Sequence, residues 1–116
     1  MSDVNLSKLK KLFQEKRYFD VILDIESSTT ENNRSSALHN LLGVCRASQK
    51  GRTDRDTKYA LDDFEKAFYK DNLGEISLEA LCNHIKLCAE MGRKDSELLK
   101  NMLTSQKMYL EAEKKF

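Results

Sequence analysis

The chain has 116 residues, 40% hydrophobic and 34% charged, which is enough apolar material for one continuous core but not for two. Its 20 Lys and Arg balance 19 Asp and Glu to a formal net charge of +1, so no long-range field draws in nucleic acid or an anionic membrane surface. With no Pro, no Trp and only four Gly, nothing removes a backbone donor mid-helix, and helix is favoured along nearly the whole length.

The first residues, MSDVNLSKLKK, lack the apolar run of a signal peptide, and no stretch approaches the roughly 20 apolar residues of a membrane span. Cys45, Cys82 and Cys88 are an odd number set among Leu, Val and Ile. Thiols in such settings read as small buried hydrophobes in a reduced compartment, and a cytoplasmic protein is expected.

In chain order, Leu6, Leu9, Leu12 and Phe13 form an apolar stripe that predicts a first helix over residues 3–15. A short Lys16-Arg17 turn leads to a second helix over 18–26, striped by Tyr18, Val21, Ile22 and Ile25. The polar run SSTTENNRS reads as a loop, after which Ser35 or Ser36 caps a third helix over 37–49 bearing Leu38, Leu41, Leu42, Cys45 and Ser48. Gly51 is placed to close it in the left-handed conformation. The fourth helix starts near Thr53 or Asp54, with Asp54 and Asp56 at the positive end of its dipole, and carries Tyr59, Ala60, Phe64, Ala67 and Phe68. Ser77 is expected to cap a fifth helix striped by Leu78, Leu81, Ile85, Cys88 and Ala89 and closed by Gly92. A sixth helix is expected from Asp95 or Ser96 to Phe116, through Leu98, Leu99, Met102, Leu103, Met108, Tyr109 and Leu110.

The three tight turns, Lys16-Arg17, Gly51-Arg52 and Gly92-Arg93, recur at intervals of 35 and 41 residues, each between two striped helices. Such a period is the signature of stacked helix pairs, each burying its open face on the next. Within the central unit, Leu42-Gly43 is followed by Ala60, Phe64 and Ala67, with Asn72 five residues further on. This unit resembles a tetratricopeptide repeat, whose first helix carries a Leu-Gly pair and whose second carries Ala, an aromatic four residues later and a small residue three after that. Asn72 stands where that family usually has Pro. The stretch from Gly43 to Ala60 is longer than the family spacing by about one helical turn, so either the third helix runs on or the fourth starts early. The resemblance implies an all-α fold, a right-handed array of three antiparallel helix pairs in one domain, with approximate repeats 3–28, 36–72 and 77–116.

Cys82, His84 and Cys88 include zinc-ligand chemistry, but steps of two and six residues scatter those side chains around a helix, and a fourth ligand is lacking. His39 and His84 each lie inside a repeat helix, without the converging base and orienting group that catalysis requires, so neither an enzyme nor a cofactor is expected. The pair Asp62 and Asp63 reads as a solvated face. In the family, the first helix of each pair lines the inner groove. Carried over by register, the inward positions are Leu6, Lys10 and Phe13, then Asn40, Val44 and Ala47, then Glu79, Cys82, Asn83, Lys86 and Glu90. Of these Lys10, Phe13, Asn40, Val44, Asn83 and Lys86 are the candidate partner-binding residues, Asn bonding amides and Lys supplying charge. The expected function is a scaffold that takes a protein or peptide partner in a shallow groove, with no nucleic-acid or membrane partner. The alternative is an N-terminal recruitment or dimerisation segment of a larger bacterial transferase-type enzyme, with a homodimer formed through the last helix.

Overall fold

The structure is a computed structural model that describes residues 5–71 and 74–92, together with Lys100 and Thr104. Five α-helices and no strand occur among the described residues: α1 (Leu6–Gln14), α2 (Tyr18–Ser28), α3 (Ser36–Ser48), α4 (Asp54–Asp71) and α5 (Glu75–Glu90). The expected sixth helix lies outside the described residues.

Helices α1, α3 and α4 each begin where a side chain satisfies an amide that the first turn leaves unpaired, whereas α2 starts at Tyr18 without such a cap. Asn5 Oδ1 accepts from the Lys8 amide at 3.1 Å, so α1 starts at Leu6. Ser35 Oγ accepts from the Leu38 amide at 3.2 Å and settles which of the two serines caps α3. The neighbouring Ser36 hydroxyl instead donates to the Ala67 carbonyl of α4 at 2.6 Å. Ahead of α4 there is a reciprocal box: the Thr53 amide donates to Asp56 Oδ2 at 3.0 Å and the Asp56 amide to Thr53 Oγ1 at 3.2 Å. The Thr53 amide first, and then the Thr53 hydroxyl, which also donates to Asp56 Oδ2 at 3.0 Å, hold the Asp56 carboxyl below its usual range. Because α3 stops at Ser48 and α4 begins at Asp54, the extra length before Ala60 is an early start of α4 after a short linker. The polar loop after α2 contains a single 3-10 turn, Glu31–Asn33, that its capping composition did not announce.

Helix α5 departs from expectation at its start. It opens at Glu75, and Ser77 is not its cap but a buried residue of its first turn. The Ser77 hydroxyl donates to the Phe68 carbonyl of α4 at 2.9 Å, and its amide donates to Asp71 Oδ2 at 2.8 Å. The last residue of α4 thus supplies the acceptor that α5 lacks. Gly74 makes room for it, since a Cβ there would stand 2.5 Å from Asp71 Oδ2.

The helices pack in sequence, α1 on α2, α2 on α3, α3 on α4 and α4 on α5, and α3 also touches α5 directly. One core cluster joins α1, α2 and α3 through Leu9, Leu12, Val21, Ile22, Ile25, Leu38, Leu42 and Cys45. A second joins α4 and α5 through Ala60, Phe64, Ala67, Ala80 and Leu87, with Val44 and Ala47 of α3 packed against it. Gly43 of α3 meets Phe64 of the second cluster. A Cβ there would lie 2.4 Å from Phe64 Cε1, so only hydrogen lets the ring approach α3 this closely.

Several apolar residues placed on the expected stripes face outward: Leu6, Tyr59 and Leu78 are exposed. On α5 the buried face is rotated relative to the sequence reading, running through Ser77, Ala80, Leu81, His84, Leu87 and Cys88. A left-handed residue follows α1, α3 and α5: Lys16 (φ 61°) and Gly92 (φ 75°) two residues past the helix end, and Gly51 (φ 71°) three past it.

Candidate binding groove

Helices α3 and α5 lie side by side, and the surface between them carries a depression of about 120 Å³. Val44, Ala47 and Ser48 come from α3, and Asn83, Lys86, Leu87 and Glu90 from α5, with the Phe64 ring at the base. Helical spacing produces this arrangement: residues three or four apart share a face, so 44, 47 and 48 line up along one wall and 83, 86, 87 and 90 along the other.

Asn40 continues the α3 wall, and its Oδ1 accepts from Asn83 Nδ2 at 3.1 Å. This bond fixes the spacing of the two helices at one end of the groove. At the other end Arg52 donates from one guanidinium nitrogen to the Ala47 carbonyl at 2.7 Å, and its second lies 3.5 Å from the Glu90 carboxylate. Lys86 stands exposed between these ends with no carboxylate partner among the described residues. The groove therefore presents an apolar floor, an amide pair and, at Lys86, a cation without a carboxylate partner among the described residues.

Of the six residues singled out from sequence, Val44, Asn83 and Lys86 line this groove and Asn40 is bonded into it. Lys10 and Phe13 are elsewhere. Lys10 is exposed on α1, while Phe13 packs edge-on against Tyr18 (centroids 5.7 Å apart, planes at 66°) beside the N-terminal core. Sequence register carried the inner-face rule to α1, but contact with α5 is made by α3.

A polar cluster missed at the sequence level is buried between α3 and α4. Asp63 is not part of a solvated face: it is 5% exposed. Its Oδ1 lies 3.2 Å from His39 Nδ1 and its Oδ2 accepts from Arg46 Nε at 2.8 Å. The Arg46 guanidinium reaches further to the Glu26 carboxylate at 3.1 Å and stacks over the Tyr59 ring at 5.4 Å. Asp62, one step around the helix, is exposed and pairs with Lys66 at 3.0 Å. His39 is fully buried, and its Nε2 has no hydrogen-bond partner among the described residues.

The cysteines divide by exposure. Cys45 and Cys88 are buried as expected, whereas Cys82 is exposed. His84 and Cys88, four residues apart, share a face of α5, with Sγ 3.7 Å from Nδ1. Among the described residues no group of three or more His, Cys, Asp or Glu side chains is placed to hold a metal ion. Burial pushes the Cys45 thiol from 9.0 up to about 12, against a smaller opposing pull from Arg46. Because the folded value is the raised one, this stabilising contribution is complete below about pH 9 and is lost as pH rises toward 12. Labelling with a thiol reagent at neutral pH is expected to modify Cys82 rapidly, and Cys45 and Cys88 only in denaturant. Mass mapping of the labelled peptides checks this, and fast labelling of Cys45 in the native protein would contradict its burial.

No helix among the described residues is long and apolar enough to cross a membrane. No family model, curated protein or solved structure matches the chain.

Proposed function

We propose that the protein is a helical-repeat interaction module, built like a tetratricopeptide array, which takes a peptide or partner segment in the α3–α5 groove without chemistry of its own. The observation that supports this most is the groove itself: two helices locked at one end by the Asn40–Asn83 bond present Lys86 above an apolar floor. The positive φ at Lys16, Gly51 and Gly92, the residues that precede the recurring arginines, supports the repeat reading. The seat of Phe64 against Gly43 supports it too, since it gives the Leu-Gly pair of that family a steric reason in this chain. A binding role also suits the polar groups present. His39 and His84 are buried rather than open to a substrate, so neither is presented as an acid or base in a cleft.

Affinity capture with the full chain tests the reading. Lys86→Glu and the double variant Asn83→Ala/Lys86→Ala are expected to lose partners that the wild type recovers, while Lys10→Ala keeps them. Circular dichroism melts identify any variant that loses binding by unfolding. Recovery of the same partners by wild type and both groove variants would overturn the proposal.

A further inference from the structure

We propose that a second depression, at the α1–α2 turn, is a docking site for a short acidic peptide segment that also carries an aliphatic or aromatic side chain. It encloses about 500 Å³ between the turn residues Lys16, Arg17, Tyr18 and Phe19 and the end of α3 at Gln49 and Lys50.

Charge complementarity carries the argument. Three cations face one carboxylate here, Asp20, and that carboxylate already accepts from Arg17 Nε at 2.7 Å. Lys16 and Lys50 are exposed and have no carboxylate partner among the described residues. The surplus is local, in a chain whose formal charge is only +1. The helix-end carbonyls nearby do not cancel it: those of Lys11, Leu12 and Phe13 accept from the amides of Glu15, Arg17 and Lys16, and that of Ala47 from Arg52. Beside the cations, Phe19 is 60% exposed, and Leu23, one turn further along α2, is 49% exposed. An acidic group on a ligand would meet the lysines while its apolar neighbour covers that pair.

The backbone supplies an independent observation. Lys16 is held at φ 61° where the two corresponding turns use Gly51 and Gly92. A side chain is disfavoured in that conformation and glycine is not, so the turn retains a cation in the pocket wall at a conformational cost. Strain kept in this way is a mark of functional positions. Ser48 lines both depressions, so the two adjoin at the end of α3, but the lysines of this one belong to the turns and not to the groove. The proposal stands or falls apart from the groove reading.

Amide-resolved NMR titration of the full chain with acetyl-Asp-Leu-Glu-Phe-Asp-amide tests it, with the same peptide bearing Lys in place of each acid and a short single-stranded oligonucleotide as comparisons. The acidic peptide is expected to shift amides of residues 16–20 and 48–50 saturably, with affinity falling several-fold as salt rises. Lys16→Glu/Lys50→Glu is expected to abolish these shifts, and Asn83→Ala/Lys86→Ala to preserve them. Lys16→Gly is expected to raise the denaturation midpoint while weakening the peptide several-fold, a combination that a purely structural lysine would not give. Equal shifts from the Lys-bearing peptide, no saturable shift from the acidic one, or tighter binding of the oligonucleotide would each overturn the proposal.

Discussion

Phe64→Ala is expected to destabilise the protein by about 3–5 kcal/mol, the range for removing a buried aromatic ring and leaving a cavity. The ring is 2% exposed, is the largest side chain of the α4–α5 cluster and fills the space that Gly43 leaves on α3. Gly43→Ala tests the same contact from the other side. Its methyl would come within 2.4 Å of a ring that is enclosed and has little room to yield, so overpacking of about 1–3 kcal/mol outweighs the roughly 1 kcal/mol gained by replacing a helical glycine. In the Phe64→Ala background that clash is gone, and Gly43→Ala should become neutral or stabilising. Urea unfolding of the four proteins in this cycle reads the coupling. Additive effects would mean that the ring does not rest on Gly43.

Asp63→Ala is expected to cost about 3–5 kcal/mol, as for other buried pairs broken from one side. It would strip the partner from His39 Nδ1 in a fully buried ring whose Nε2 already lacks one among the described residues. It would also leave Arg46 with Glu26 as its remaining carboxylate, on the exposed side. Asp63→Asn keeps an acceptor and should cost about 1–2 kcal/mol, the loss of a charge-assisted bond with the geometry retained. Asp62→Ala is the control. Its carboxylate is exposed and pairs with Lys66 on the surface, so a change of about 0–1 kcal/mol is expected. Denaturation midpoints for the three variants separate the two neighbours, and equal costs for the Ala variants at 62 and 63 would refute the buried assignment of Asp63.

That adjacent pair shows where the amino-acid sequence is readable and where it is not. Asp62 and Asp63 are the same residue type one step apart, about 100° around the helix, and local pattern gives no means of choosing between them. The choice is made by His39 and Arg46, 24 and 17 residues away in the chain. Likewise Ser77 carries every local mark of a helix cap, yet Asp71 bonds its amide from the end of α4, and the helix opens three residues earlier. Lys10 and Phe13 hold inner-face register by count alone, but their helix is not the one that meets α5.

What could be read from residues alone was local. The five described helices and their order follow from apolar stripes at helical spacing, and Gly51 and Gly92 fall in the left-handed conformation that marks them as turn closers. Those features depend on neighbours within a turn or two, where backbone geometry fixes who meets whom. The buried Asp63 cluster and the cation pocket at Lys16 were decided only by tertiary packing, as was the exclusion of α1 from the groove in which register places Asn40, Val44, Asn83 and Lys86. Each joins residues from separate helices or turns, and the energy of burying or pairing a polar group depends on neighbours that chain order does not name.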